Sequence, residues 1–177
     1  RIVGLDQNWD KVAENVATNG TSDSAATTTT FIRVLRAFVL ETGTYTAPYN
    51  LGDIIIKTSG GDVLTTIEAE IGKSVDAQWA IPAGHEGYLT RIALTVSSNK
   101  TADYSLKIRN KGNVIAAPFG GSRKITSYEE VDERYSEELL SYRKLDEYSD
   151  IWAVGQATTG TTTINTTFDI IVVPKQV

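Results

Sequence analysis

His85 is the only histidine in the 177-residue chain, and the chain contains no cysteine. A nucleophilic triad needs an imidazole that a third group holds in place, and zinc sites usually combine several His or Cys ligands. This imidazole lies in a turn rich in proline and glycine, from Ile81 to Gly87, where an exposed turn residue is the ordinary interpretation. The sequence therefore predicts no catalytic histidine, no metal site and no disulfide.

Paired carboxylates are a second source of acid–base chemistry, because glycosidases need two carboxyl groups at a defined separation. Acids are frequent between Glu129 and Glu147. They form one self-repelling run, however, with no tryptophan among them that could stack against a sugar ring. We interpret the run as a charged surface and predict that the protein is not an enzyme.

One glycine-rich segment has residue types that bind phosphate. Gly120-Gly121-Ser122-Arg123-Lys124 combines glycines with basic side chains. It has neither the residue order of a P-loop nor the spacing of a dinucleotide-binding fingerprint. We predict a hairpin turn at this point and no cofactor.

Charge and hydropathy narrow the range of partners. The formal net charge of −5 argues against sequence-independent binding to nucleic acid, which requires Lys and Arg to neutralise phosphates. No apolar run approaches the ~20 residues of a membrane-spanning helix, and no signal peptide is visible, so we expect a soluble chain without membrane contacts. The missing start Met and the strand-like Arg1-Ile2-Val3 favour a processed or partial chain.

The charges are unevenly distributed along the second half of the chain. Nine acids lie between Tyr128 and Asp150, against three basic residues, whereas the rest of this half is mainly basic. A solvated face explains this pattern; alternatively, an acidic patch on one copy meets a basic patch on the next, because complementary charges orient assembling subunits. The candidate oligomer interface comprises Glu133, Glu137 and Glu138, all expected to be exposed, with Arg109, Lys111, Arg123 and Lys124.

The elements that must position these residues are predicted to be strands. The longest strand signal runs from Tyr88 to Ser97, where the even positions apart from Thr90 are apolar, as in a strand with one buried face. Its apolar face is predicted to carry Tyr88, Ile92, Leu94 and Val96. Pro82, Gly84 and Gly87 are expected to prevent the strand from extending towards the N-terminus.

Residues 1–73 are predicted to form a small antiparallel β domain, some of whose strands precede Arg1. The expected hairpins are Arg1–Asp6 with Trp9–Ala17, and Asp53–Thr58 with Val63–Ile67. Gly60-Gly61 supplies the tight turn of the second hairpin, and Thr18–Thr30 is expected to be a loop. Phe31–Leu40 is predicted to be a long strand buried between two layers, because it is apolar on both faces except for two arginines.

Residues 74–177 are predicted to form a jelly-roll-like β-sandwich, because short strand signals separated by turn residues follow one another through this half. The strands expected with little ambiguity are Asp76–Ala80, Tyr88–Ser97, Tyr104–Arg109, Val114–Phe119, Ile151–Gln156 and Ile164–Val173. The predicted fold class is therefore all-β, with Gly72-Lys73-Ser74 as the domain boundary.

The acidic stretch has two interpretations. A helix is indicated by apolar residues at spacings of three and four, which are Val131, Tyr135, Leu139, Tyr142 and Leu145. Ser127 and Glu130 would complete it with a capping box. The alternative divides the stretch into two strands, Arg123–Val131 and Arg134–Arg143, which would bring the second domain to eight strands.

Three parts of the chain resemble a family of uncharacterised virion structural proteins of tailed bacteriophages, especially marine ones. The similar segments are Val3–Asp10 with the following Asn19-Gly20-Thr21, then Ile81–Leu89, and finally Ser149–Gly155 leading to Phe168–Val173. The resemblance implies a β-rich virion component without enzymatic activity. It also favours the two-strand interpretation of the acidic stretch.

Two functions from different classes follow. The first is a structural virion protein, either a capsid-surface decoration or a tail or fibre component. It would assemble as a homo-oligomer, most plausibly a trimer or larger ring, and contact other virion proteins. The alternative is a carbohydrate-binding β-sandwich that attaches to a host glycan, which would require exposed coplanar aromatic rings such as Trp79 with Tyr88.

Overall fold

The chain is built from antiparallel β-sheets. The computed structural model describes residues 1–43, 47–97, 99–114, 116–117, 120–158 and 160–176. These residues form twelve strands and no helix, which confirms the all-β prediction. The chain divides into two compact units, Arg1–Asp76 and Ala77–Val177, which are described separately.

The first unit contains a three-stranded sheet and a hairpin. The sheet has the order β2-β1-β3, and the hairpin pairs β4 with β5. The strands are β1 (Ile2–Leu5), β2 (Lys11–Glu14), β3 (Arg33–Ala37), β4 (Ile54–Lys57) and β5 (Val63–Ile67). Both expected hairpins are therefore present. The second turns at Gly61, whose φ of +95° suits glycine.

The long strand predicted for Phe31–Leu40 is wrong in length and in burial. Within this range only Arg33–Ala37 (β3) is a regular strand, Val34 on it is only half-buried, and Leu40 is 49% exposed. The cause is a change of partner, because the ladder to β1 ends at Ala37. Beyond this point the backbone of Val39 donates to Gly72, and Phe38 forms an isolated bridge with Lys73.

The second unit consists of two antiparallel sheets, with the orders β10-β7-β12 and β6-β11-β8-β9. Its strands are β6 (Gln78–Ala80), β7 (His85–Val96), β8 (Thr101–Arg109), β9 (Ser122–Asp132), β10 (Arg134–Leu145), β11 (Asp150–Ala157) and β12 (Ile164–Pro174). Every connection crosses from one sheet to the other except that from β8 to β9. This order of crossings is that of a jelly roll, which has eight strands. Among the described residues, no strand lies at the position beside β12 that the first strand of a jelly roll would take.

The core of the second unit lies between the two sheets. Leu89, Ile92 and Leu94 of β7 are buried, as are Tyr104, Leu106 and Ile108 of β8 and Ile151 of β11. Burying a large apolar side chain contributes roughly 1.5–3 kcal/mol, so this layer is the main source of the unit's stability. The predicted shared face of Tyr104, Leu106 and Ile108 is confirmed.

The central strand β7 differs from its prediction in two ways. It begins at His85, three residues before the predicted start, and Gly87 is a buried member of it. Its register also shifts at Thr90, because Arg91 pairs with Asp169 while Leu89 pairs with the next residue of β12. Leu89 and Ile92 are therefore both buried. The simple alternation placed Tyr88 on the same face as Ile92, and that prediction is wrong.

The acidic stretch forms strands, so its helical periodicity was misleading. β9 and β10 cover almost the whole of residues 122–145 and are joined by a tight turn at Glu133. They lie in different sheets and do not pair with each other. The strand predicted for Val114–Phe119 is wrong where it is described, because Val114, Ala116 and Ala117 belong to no strand. Residues 115, 118 and 119 lie outside the described residues. The second unit thus has seven described strands where eight were predicted.

Replacing Gly87 by alanine is expected to destabilise the second unit by about 1–3 kcal/mol. A Cβ at this position would lie 2.5 Å from Ile81 Cδ1 and 3.3 Å from Ile170 Cγ2, and Ile81 is fully buried. Thermal unfolding followed by circular dichroism should show a clearly lowered Tm. Gly121→Ala is the matched control, because no atom lies within 4 Å of its Cβ position, and it should leave Tm nearly unchanged.

Candidate interaction surface

The acidic stretch, which consists of β9, β10 and the turn between them, lies at the side of the sandwich. β9 is the edge strand of the four-stranded sheet, and β10 is an edge strand of the three-stranded sheet. The backbone carbonyl of Glu133, in the turn between them, accepts a hydrogen bond of 2.7 Å from the amide of Val96. The acidic stretch therefore spans the open side of the sandwich, where one sheet passes into the other.

One predicted interface acid faces inward. Glu137 pairs with Ile92 of β7, and Ile92 is buried in the core. The Glu137 carboxylate accepts hydrogen bonds from the hydroxyls of Tyr128 and, at 3.2 Å, Tyr135. The expectation that Glu137 is exposed is therefore wrong: it is half-buried, because strand alternation points it towards the opposite sheet.

Three tyrosine rings enclose this carboxylate contact. The ring of Tyr128 lies 4.2 Å from that of Tyr135 and 6.1 Å from that of Tyr104, measured between centroids. Burial, followed by the hydrogen bond to Glu137, raises the pKa of Tyr128 above its ordinary value. This cluster was missed in the sequence. The spacing of two between Tyr135, Glu137 and Leu139 places all three side chains on one face of a strand, whereas in a helix it does not. Because a helix was also indicated here, this spacing was not used to predict that Glu137 faces inward.

The other two acids are exposed, as expected. Glu133 occupies the turn between β9 and β10 with a φ of +53°, and Glu138 is on the outward face of β10 opposite Arg91. Charges in such positions are solvated and are available to a partner.

The basic candidates gather around the start of β9, at the end of that strand far from the β9–β10 turn. Arg123 and Lys124 are exposed at the start of β9, near the end of β8 that carries Arg109, and Lys111 is exposed in the turn after β8. Nine residues separate Arg123 from Asp132, about 30 Å along a strand at ~3.3 Å per residue. The structure thus separates the basic group from the acidic one, so the two cannot neutralise each other within one copy.

Arg109 differs from the other basic candidates because it has partners in its own unit. Its Nε lies 3.8 Å from a carboxylate oxygen of Asp150, which is only 7% exposed. Its guanidinium carbon lies 5.8 Å from the ring centroid of Trp152. These contacts hold Arg109 against the sheet, so it is less available to a partner than Lys111 or Lys124.

A bulge in β10 exposes apolar side chains. Between the pairs Glu138 with Arg91 and Arg143 with Leu89, residues 139–142 of β10 lie opposite only Thr90 of β7. Leu140 and Tyr142 in this bulge have relative exposures of 107% and 63%. Sequence reasoning missed the bulge, since it results from a register between distant segments.

The turn before β7 is held by ion pairs. Lys144 lies 2.7 Å from Glu86, and Lys175 lies 2.9 Å from Glu147, whose carboxylate also accepts the amide of Gly84. The ammonium group of Lys144 is the main reason that the pKa of Glu86 is lowered. The first pair fixes the start of β7 against the end of β10, and the second joins the segments that follow the two edge strands, β10 and β12.

His85 is not the exposed turn residue that was predicted. It begins β7 and is half-buried, and its Nδ1 lies 2.8 Å from the carbonyl oxygen of Ala83. Within the described ranges, no three His, Cys, Asp or Glu side chains are grouped as a metal site would require.

The aromatic platform considered for a glycan is not formed by Trp79 and Tyr88. Trp79 belongs to β6 and packs against the core, whereas Tyr88 belongs to β7 in the other sheet. The Tyr88 hydroxyl donates to Glu86 at 2.9 Å. The two rings therefore do not share a surface on which a sugar could stack.

Comparisons with protein-family models, curated proteins and solved structures yield no significant match to this chain. Among the described residues, no helix has the length and hydrophobicity needed to cross a bilayer.

Glu137→Lys is expected to lower the free energy of unfolding by about 1–3 kcal/mol, because the hydroxyls of two half-buried tyrosines would lose their acceptor. Glu138→Lys changes charge in the same way at the neighbouring, exposed position and should stay within about 0.5 kcal/mol of the parent. Urea denaturation of both variants measures the difference. Equal stabilities would contradict the inward orientation of Glu137.

Stability is expected to fall as the pH rises above 10, the ordinary pKa of tyrosine. Because the pKa of Tyr128 is raised in the folded protein, the unfolded chain loses this proton at a lower pH than the folded one. The contribution of the protonated hydroxyl to the free energy of unfolding is therefore complete below pH 10 and decreases as the pH rises from 10 to the folded pKa. Denaturation at successive pH values should show a steeper alkaline loss for the parent than for Tyr128→Phe. Parallel curves would show that Tyr128 titrates in the same way in both states.

Proposed function

We propose that this chain is a non-enzymatic structural component of a tailed-phage virion, either a capsid-surface decoration or part of the tail or fibre. The observation that carries the proposal is the β10 bulge, which holds Leu140 and Tyr142 in solvent on the side of a packed sandwich. Apolar side chains that project from a rigid scaffold beside polar ones are typical of protein-binding surfaces.

The surroundings of the bulge suit contact with another protein. Glu138 and Lys144 on the same strand are exposed, so they can form a polar rim around the two apolar side chains. An aromatic side chain such as Tyr142 supplies a large contact area at low entropic cost. In this proposal, other virion proteins bind at the bulge, and the net charge of −5 disfavours nucleic acid as the partner.

The sequence resemblance supports a virion role independently of the bulge. Its segments fall on parts of the scaffold: Val3–Asp10 covers β1 and the turn to β2, Ile81–Leu89 leads into β7, and Ser149–Gly155 lies largely in β11. Jelly rolls are also common in viral capsid proteins, although this is an analogy of fold and the fold hosts other functions.

Self-association completes the proposal. The exposed acids near the β9–β10 turn and the basic residues around the start of β9 lie too far apart to meet within one copy, whereas two copies can bring them together. Exposed ion pairs contribute only ~0–1 kcal/mol each, so the charges would orient the copies while apolar side chains supply affinity.

Immunoelectron microscopy of intact particles, with antibodies against the purified protein, tests this function. We expect regular labelling of the capsid surface or the tail. Particles assembled with the Leu140→Ser/Tyr142→Ser variant in place of the parent protein should carry little label, because the variant lacks the contact surface and would not be incorporated. Asp62→Lys, in the exposed turn between β4 and β5 and outside both charged groups, is the control and should be incorporated normally. Absence of the parent protein from mature particles would overturn the proposal.

A further inference from the structure

The outward face of the four-stranded sheet has its charges sorted by position. Because Tyr104 and Leu106 of β8 point into the core, their neighbours in sequence point outward. We define the charged face as three rows across β11, β8 and β9. The rows are Trp152, Lys107 and Lys124 at one end and Val154, Ser105 and Ser127 in the middle. The row at the other end has Gln156 beside Asp103, with Glu129 next to Asp103 in the β9 bulge, where residues 129 and 130 both lie opposite Asp103.

The two outer rows have opposite charge and are not neutralised within the unit. No ion pair in the described part of the chain involves Lys107, Lys124 or Glu129. Asp103 accepts a hydrogen bond of 3.0 Å from the backbone amide of Glu130. Because that donor is uncharged, the negative charge of Asp103 is not neutralised by it. Each row therefore retains a net charge that a complementary surface can neutralise.

The middle row permits close approach of another surface. Ser105 and Ser127 are small, and Val154 is 37% exposed. Trp152, in the basic row, is half-buried, with its ring partly accessible beside Arg109. Small and apolar residues at the centre, with charges on either side, match the core and rim of a protein interface.

We propose that the charged face binds the same face of a second copy, about a two-fold axis that runs along the middle row. This operation places Lys124 opposite Glu129 and Lys107 opposite Asp103, twice each, because a two-fold contact is made of two identical halves. The proposal deepens the self-association in the proposed function and rests on it. A trimer, in contrast, would require each copy to use two different surfaces.

Packing through the face is favoured over addition of strand to strand. β9 is a sheet edge, but its register shifts at residue 125 and again at residues 129–130. Such bulges interrupt the row of backbone groups that edge-to-edge pairing needs. Side chains on the face remain accessible, so they are the better basis for contact.

The size of the face determines the strength of the contact. Three strands at ~4.8 Å and about five to six residues at ~3.3 Å give roughly 250 Å² per copy, less than the ~800 Å² per partner of a standard stable interface. We therefore expect weak pairing in solution that is strongest at low ionic strength. Pairing would strengthen where an assembly holds many copies close together.

Charge exchange tests the proposed register. In sedimentation equilibrium at low ionic strength, Lys124→Glu and Glu129→Lys should each raise the dimer Kd by about tenfold, because like charges then face each other twice. The double variant should restore pairing, since both contacts return with their signs exchanged. Glu138→Lys, outside the face, should have little effect. Single variants that pair as well as the parent, or a double variant that fails to recover, would overturn the proposal.

Cross-linking locates the contact independently of charge. The chain has no cysteine, so Ser127→Cys provides one reactive thiol on the proposed axis. A short bismaleimide should join two such copies efficiently. It should not join copies of Ser141→Cys, whose thiol lies in the β10 bulge. Preferential linking through residue 141, a trimeric mass, or a monomer at every concentration would each reject the two-fold face. Labelling of intact particles would still decide the virion role separately.

Discussion

The interruption of β7 at Thr90 is the constraint on which the rest of the second unit depends. β7 lies between β10 and β12, so both neighbours must accommodate the same irregularity. β12 does so by a shift at Asp169, whose carbonyl accepts the Thr90 hydroxyl at 3.2 Å. β10 does so with the four residues 139–142. The shift keeps Leu89 and Ile92 on the core side, and the same adjustment places Leu140 in solvent.

The same architecture separates structural charges from available ones. Glu137, on the inward side of β10, accepts hydrogen bonds from two tyrosines and stabilises the open side of the sandwich. Lys124 and Glu129, on the outward side of β9, have no ion-pair partner among the described residues. Because bulges interrupt both β9 and β10, contacts through side chains are favoured over strand addition at these edges.

The local sequence predicts the fold well where alternation is regular, as in β8 and β12. It fails in the acidic stretch because a spacing of four, as between Tyr135 and Leu139, is one helical turn and also two strand periods. The partner strand decides between helix and strand, and that partner is β7, about 40–60 residues earlier in the chain. The exposed side chains of the bulge and the inward orientation of Glu137 depend on the same distant register, so no local pattern could predict them.

Hydrogen–deuterium exchange on intact particles, compared with the isolated protein, tests most directly whether the β10 bulge is an assembly surface. The account expects the amides of residues 140–142 to exchange at least about tenfold more slowly in the particle, because a bound neighbour excludes water from them. The exposed loop at residues 21–26 should exchange alike in both samples. Equal exchange rates at residues 140–142 in the particle and in the isolated protein would contradict the account.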